Sequence, residues 1–264
     1  MKLSLTAHIN RIAAWAILFV LIIPSLVSIP VSITPETYLS LPWQGVSLRH
    51  FRNLFTSPEW LSSFWQSLFI AIVSSCLATS IGTLAAIGLW RLASRFGEMI
   101  RALLLLPLMV PPIISAMAFY RWWVPLGLID SYSGLILAHS ILAIPMVVIT
   151  VSASLANFDL RLEQASRSLG ASVAETVWHV ILPVIKPGIV AGAVFAFILS
   201  WDEIVVALFI SKFDVFTLPR RLWNGMRENT DPTVAAAAVV LICITLVALL
   251  VFALIARRRQ ADPA

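Results

Sequence analysis

Six apolar runs, at roughly 12–34, 63–90, 101–123, 134–156, 186–210 and 233–256, constrain this chain more than any other feature. Each reaches the length of about 20 residues that a helix needs to cross a hydrocarbon core. Lipid offers no partner to a bare N–H or C=O, so an apolar run of this length satisfies its backbone internally, as helix. Charge follows the same pattern. Only 12% of the 264 residues are charged, half the roughly 25% of a soluble domain, and the deficit falls in these runs. The expectation is an all-α membrane protein with six transmembrane helices. The first run follows Lys2 and Arg11. It exceeds the apolar core of a signal peptide, about 7–15 residues, and no small-x-small cleavage site follows it, so it reads as an uncleaved helix.

Basic residues between the runs set the orientation. With the N-terminus inside, the inner segments hold Lys2, Arg11, Arg91, Arg95, Arg101, Arg161, Arg167, Lys186 and Arg257–Arg259, which is 11 of 18. The outer segments hold Arg49, Arg52, Arg121, Lys212, Arg220, Arg221 and Arg227. Both termini are therefore expected in the cytoplasm, and residues 157–185 face the cytosol. Topology accounts for the net charge of +5 without a nucleic-acid partner. Cys76 and Cys243 fall inside predicted spans and read as small apolar residues, not a disulfide or a metal pair.

Several spans carry irregularities. The third holds Pro107, Pro111 and Pro112, and proline within a helix removes a donor and clashes with the preceding turn. Two readings stand: a tolerated kink, or a span that lines the transport path at Pro111 and Pro112 and flexes during gating. Ala78, Gly82 and Ala86 in the second span, and Gly188, Gly192, Ala196 and Ser200 in the fifth, recur every four residues. Such stripes let helices approach closely and predict packing faces. Asp231 and Pro232 form a helix start for the sixth run.

The segment between spans four and five is polar and internally ordered. Asp159 caps a short helix from about Leu160 to Leu169, with Leu162, Ala165 or Ser166, and Leu169 on one face. Gly170 fits a left-handed helix stop. Ser172 and Glu175 form a capping box for a second helix reaching Ile181, which Pro183 breaks. About 30 residues is long for a mere connection; the competing reading is an amphipathic hairpin on the inner membrane surface.

Asp202 and Glu203 fall within the fifth apolar run. A charge at membrane depth costs on the order of 2.5–3.5 kcal/mol on insertion scales, so it faces protein or water. Neighbours on a helix point about 100° apart, so one carboxylate faces any path. It attracts a cation there, with Trp201 adding a cation–π face, or the pair is structural, tied to Arg121 or Lys212.

Glu163-Gln164-Ala165, Gly170 and Ile181-Leu182-Pro183 together resemble the EAA loop of binding-protein-dependent ABC import permeases, with Gln164 standing where the pattern has alanine. The stretches LPLMVPP, HSILAIP, SWDEIVVALFIS and TLPRRLWNGMRENTDPTVAAA resemble the spermidine/putrescine branch of that family, over about residues 60–250. The resemblance implies one permease domain, residues 1–264, in a bacterial inner membrane. It implies that the short helix is the coupling helix, with Leu162, Glu163, Ala165, Ser166 and Leu169 meeting the ATPase and Gly170 permitting the turn. It implies three partners: a cytosolic ATPase dimer holding ATP and Mg, a second permease, and an extracytoplasmic binding protein. Arg220, Arg221 and Trp223 in the last outer loop are candidates for docking that protein. The resemblance further implies a polyamine or similar organic cation as the solute.

No cofactor is expected on the chain itself. It has no G-x-x-x-x-G-K-[ST], so ATP hydrolysis falls to another chain. His8, His50, His139 and His179 are scattered, with no H-E-x-x-H and no G-x-S-x-G, which leaves no metal or catalytic set. The rival is a gradient-driven secondary transporter or channel; the paired broken spans frequent in that class are missing.

Overall fold

The computed structural model describes residues 5–92, 94–227 and 231–246. Every regular element among them is helical. In chain order they are α1 (Leu5–Ser32), α2 (Arg49–Thr56), α3 (Pro58–Leu92), α4 (Arg95–Met109), α5 (Pro112–Leu126), α6 (Tyr132–Ala156), α7 (Leu160–Ser168) and α8 (Val173–Thr176). A π-helical turn (Val177–Ile181) leads into α9 (Leu182–Asp202), followed by α10 (Val205–Ile210), α11 (Leu218–Arg227) and α12 (Thr233–Leu246). Four helical stretches are long and apolar enough to cross a membrane, or five if α4 and α5 count as one bent span. The remainder of the sixth predicted run, 247–256, lies outside the described residues, as do Lys2 and Arg257–Arg259.

Two compact units divide the chain: residues 1–61 with 221–264, and residues 62–220. In the first, Asp231 caps α12 as expected, its carboxylate accepting from Thr233 N at 2.9 Å. Asn53 of α2 donates to Thr233 Oγ1 at 3.0 Å, and Arg221 pairs with Glu59 at 2.9 Å.

The second unit is built around α6, which runs along α9. The small-residue stripes are packing faces, as their spacing predicted. Gly188, Gly192, Ala196 and Ser200 are buried on α9, and Ala78, Gly82 and Ala86 on α3. The approach leaves no room for side chains. A Cβ on Gly188 would stand 2.1 Å from Ser154 Oγ and 2.9 Å from the Thr150 carbonyl oxygen; one on Gly82 would stand 2.7 Å from Val147 Cβ.

Three expectations about where the helices break need correction. The third apolar run is not one helix but α4 and α5, bent by 104°. Val110 and Pro111 are both extended, with ψ of 128° and 136°. Each precedes a proline, whose ring disfavours the helical region for the residue before it. The fifth run likewise ends early. Helix α9 stops at Asp202, and Glu203 is extended, with Glu203 Oε1 accepting from Val206 N at 3.0 Å to cap α10. The carboxylates therefore sit at the end of this apolar helix, Asp202 as its last residue and Glu203 just past it. Conversely, Pro183 does not break its helix. The chain stays helical from Val173 to Asp202, because the π turn carries a Leu182 N–H to Val177 O bond and places Pro183 in the first turn of α9. A missing N–H costs nothing there.

Asp130 closes the unit at the far end of α6. It adopts a positive φ of 55°, and its carboxylate accepts from the backbone N–H groups of Lys212, Phe213, Asp214 and Val215 at 2.7–3.3 Å. Desolvation pushes its pKa up, but the four amides outweigh that and hold the carboxyl below its ordinary value. A depressed folded-state pKa stabilises above the unfolded pKa, and the gain is lost as pH falls through the folded one.

Two outcomes follow. Gly188→Ala should cost about 1–3 kcal/mol by overpacking and lower the thermal midpoint in detergent. Gly88→Ala, where a Cβ meets nothing within 4 Å, should not. Amide protection of residues 211–217 should hold from neutral pH down to roughly pH 4 and fall below it; Asp130→Asn should lack that protection throughout. Hydrogen exchange read by mass spectrometry checks the second.

Candidate functional site

Helices α7 and α8 are specified locally, residue by residue. Asp159 Oδ1 accepts from Arg161 N at 2.9 Å and starts α7. The helix closes when Gly170 N bonds Arg167 O at 3.0 Å and Ala171 N bonds Ser166 O at 3.2 Å. This pair of bonds requires a left-handed residue, and Gly170 has φ of 90°. Ser172 and Glu175 then form the expected reciprocal capping box at 2.7 and 3.2 Å.

The side chains of α7 divide into two sets. Leu162, Ala165 and Leu169 lie on one exposed face, with Leu169 89% accessible, and Gly170 is exposed beside them. Glu163 and Ser166 point back into the fold. Glu163 Oε1 accepts from Arg91 Nη2 in the last turn of α3 at 2.8 Å. Ser166 Oγ lies 3.1 Å from Thr176 Oγ1, which itself donates to Ser172 O. The apolar face of this polar helix is thus turned away from the chain's own core, a feature of protein-binding surfaces.

At the opposite end of α6 and α9 a second arrangement forms. Trp201 stacks on Phe197, centroids 6.0 Å apart, and meets Phe64 edge-on at 5.7 Å. Asp202 beside it is exposed and forms no ion pair among the described residues, with Arg121 and Lys212 included. Glu203 is occupied by its capping bond. Of the two carboxylates, Asp202 is the exposed one. Two residues before Asp202, Ser200 Oγ lies 2.8 Å from buried His139 Nδ1. Pro111 and Pro112 are exposed at the α4–α5 bend.

Of the residues proposed for docking, Arg220 donates to Ser211 Oγ at 2.8 Å and lies over the Phe216 ring, and Arg221 holds Glu59. Both shape their own surroundings. Trp223 is partly exposed and lines a shallow groove of about 420 Å³ with Met226 and Arg227. The sequence reading passed over a polar cleft of about 450 Å³ lined by Thr37, Arg49, His50, Arg52, Asn53, Thr56 and Asp231. Its one sequence signal was the pair of basic residues in α2, which entered only the charge count. Arg91 and His139 were missed because their partners lie 72 and 61 residues away in sequence.

Residues 78–261 match the family described as binding-protein-dependent transport system inner membrane components. The chain is 30% identical over 240 residues to the spermidine/putrescine transport system permease protein PotC of Haemophilus influenzae, covering 91% of this chain and 93% of that protein. Against PotC of Escherichia coli strain K12 it is 31% identical over 242 residues, covering 92% and 91%. Its fold is similar to a chain in the crystal structure of a bacterial ABC transporter involved in the import of the acidic polysaccharide alginate. The TM-score there is 0.70, at 15% identity, over 97% of this chain and 99% of that one.

Gly170→Val should strain the α7–α8 turn by about 1–2 kcal/mol, the left-handed penalty of a residue with a Cβ. Hydrogen exchange of residues 160–176 should speed up accordingly. Gly170→Asn, whose side chain suits that region, should stay near the parent rate.

Proposed function

The chain belongs to the family of binding-protein-dependent transport system inner membrane components, and on that premise we propose that it is a permease that imports polyamines at the expense of ATP. Its 264 residues act as one permease domain, with both termini in the cytoplasm and α12 continuing as the sixth span. The observation that carries the reading is α7, a capped polar helix whose apolar face is turned outward between two apolar helices.

ATP and Mg belong to a separate dimeric ATPase. Leu162, Ala165 and Leu169 seat α7 in that partner, and Gly170 sets the angle at which the chain leaves it. Closure of the dimer displaces α7. Its covalent neighbours α6 and α9 follow, and the region of Trp201 and Asp202 at their other ends reorients. A second permease supplies the other half of the pathway. A binding protein delivers the solute to the outer face, where Trp223 and the ordered surroundings of Arg220 and Arg221 receive it.

Two observations support a polyamine. Two relatives, 30% and 31% identical across nine-tenths of the chain, are named for spermidine and putrescine. The free groups near the end of α9 are a carboxylate and stacked aromatic faces, the pair that recognises an ammonium ion. Asp202 attracts the cation, Trp201 offers its ring, and the Pro111–Pro112 bend borders the path.

Proteoliposomes holding the chain with its ATPase and second permease should take up labelled spermidine or putrescine in an ATP- and binding-protein-dependent manner. Asp202→Asn should cut that uptake at least fivefold, while Glu203→Gln should act on stability through the lost α10 cap. ATP-driven uptake of another solute but no polyamine would overturn the substrate; normal uptake by Asp202→Asn would return that carboxylate to a surface role.

A further inference from the structure

Helix α7 is joined by the chain to α6 on one side and to α8, the π turn and α9 on the other. No covalent route of comparable length connects it to α3. A direct polar link from α7 to α3 is the Arg91–Glu163 ion pair, between residues 72 positions apart, next to the Trp90–Phe158 ring contact just ahead of α7. We propose that Arg91 is a positioning residue: through this pair the displacement of α7 is passed to α3. The proposal rests on the reading of α7 as the ATPase-facing helix.

The geometry suits that task. Nη2 and Oε1 stand 2.8 Å apart, a direct charge-assisted hydrogen bond with no room for an intervening water. The side chains are 27% and 18% accessible, so water weakens the pair less than it does a surface pair. Glu163 is also the one charged residue of α7 turned into the fold; Arg161 and Arg167 are exposed. Removing either partner therefore leaves a partly buried charge without the ion-pair partner it has here, and Arg91 Nε is already buried without a hydrogen bond among the described residues.

What lies behind Arg91 makes the connection consequential. Arg91 sits in the last turn of α3, whose Ala78 and Ala86 belong to the same buried cluster as Val147 of α6 and Ala196 of α9. Beyond it the chain continues to Ser94, which caps α4, and so to the 104° bend. Movement of Glu163 thus reaches α3 and, through it, the bent α4–α5 arm. The ion pair acts beside the packing of α3 on α6 at Gly82 and Val147, as a polar route from α7 itself. Glu163 accordingly acts inward, and contact with the ATPase is left to Leu162, Ala165 and Leu169.

The test is a charge cycle in the assembled complex: Arg91→Gln, Glu163→Gln, Arg91→Lys and the swapped pair Arg91→Glu with Glu163→Arg. Three readouts are taken in proteoliposomes: ATPase retained on the chain, ATP hydrolysed, and solute taken up per ATP. Either Gln variant should retain the ATPase and hydrolyse ATP within about twofold of the parent, yet lose at least tenfold in uptake per ATP. Arg91→Lys and the swapped pair should recover at least half of the coupling. Three results would overturn the proposal. Full coupling in Arg91→Gln would do so, as would loss of ATPase retention in Glu163→Gln alone, which would make Glu163 a direct ATPase contact. Membrane levels that fall in the single variants and return in the swapped pair, with coupling per molecule unchanged, would make the pair a folding contact only. Failure of the parent chain to retain any ATPase would instead sink the reading of α7 itself, and this inference with it.

Discussion

The close approach of α6 and α9 is the contact on which the rest of the structure depends. Between helices in lipid there is little hydrophobic force, so association rests on van der Waals contact and on hydrogen bonds between side chains. Gly188 and Gly192 bring the α9 backbone against Thr150, Ser154 and Val147 with no space for a methyl group. The His139–Ser200 hydrogen bond, 2.8 Å long and buried, joins the same two helices toward their other ends. Neither helix can slide or roll on the other without breaking one of these contacts.

That seam carries functional groups at both ends. The start of α9 fixes the π turn and α8, against which α7 packs, so the exposed apolar face of α7 is aimed by the seam. The far end of α9 holds Trp201 and Asp202. A force applied to α7 is therefore transmitted along two helices that behave as one body, and the soft points lie elsewhere. They are the Val110–Pro111 bend, the Glu203 break and the turn at Gly170, each lacking the continuous backbone ladder of a helix.

The parts of this arrangement that depend on neighbours in sequence were legible. Asp159, Gly170, and Ser172 with Glu175 each act within five residues of themselves, so residue type alone placed α7, its stop and the next helix start. The four-residue stripes were legible too, because a helix converts spacing into a face. Prolines were legible as positions but not as outcomes. Pro111 and Pro112 gave a 104° bend, while Pro183 gave none, because a π turn ahead of it had already supplied the needed register. Asp202 and Glu203 looked equivalent until the helix end separated them, leaving one capped and one free. Glu163 was expected among the residues meeting the ATPase, and its pairing with Arg91 was not foreseen. Its partner lies on a different helix, and nothing in a local pattern records that proximity.

The function proposed for α7 has the ATPase covering its outward face. It is tested most directly by the reactivity of a cysteine placed at Leu169, in a chain whose Cys76 and Cys243 are replaced by alanine. Maleimide labelling should be fast on the isolated chain, where Leu169 is 89% accessible, and at least tenfold slower once the ATPase is bound. Equal labelling in both states would contradict the account and leave α7 as a surface hairpin with no partner.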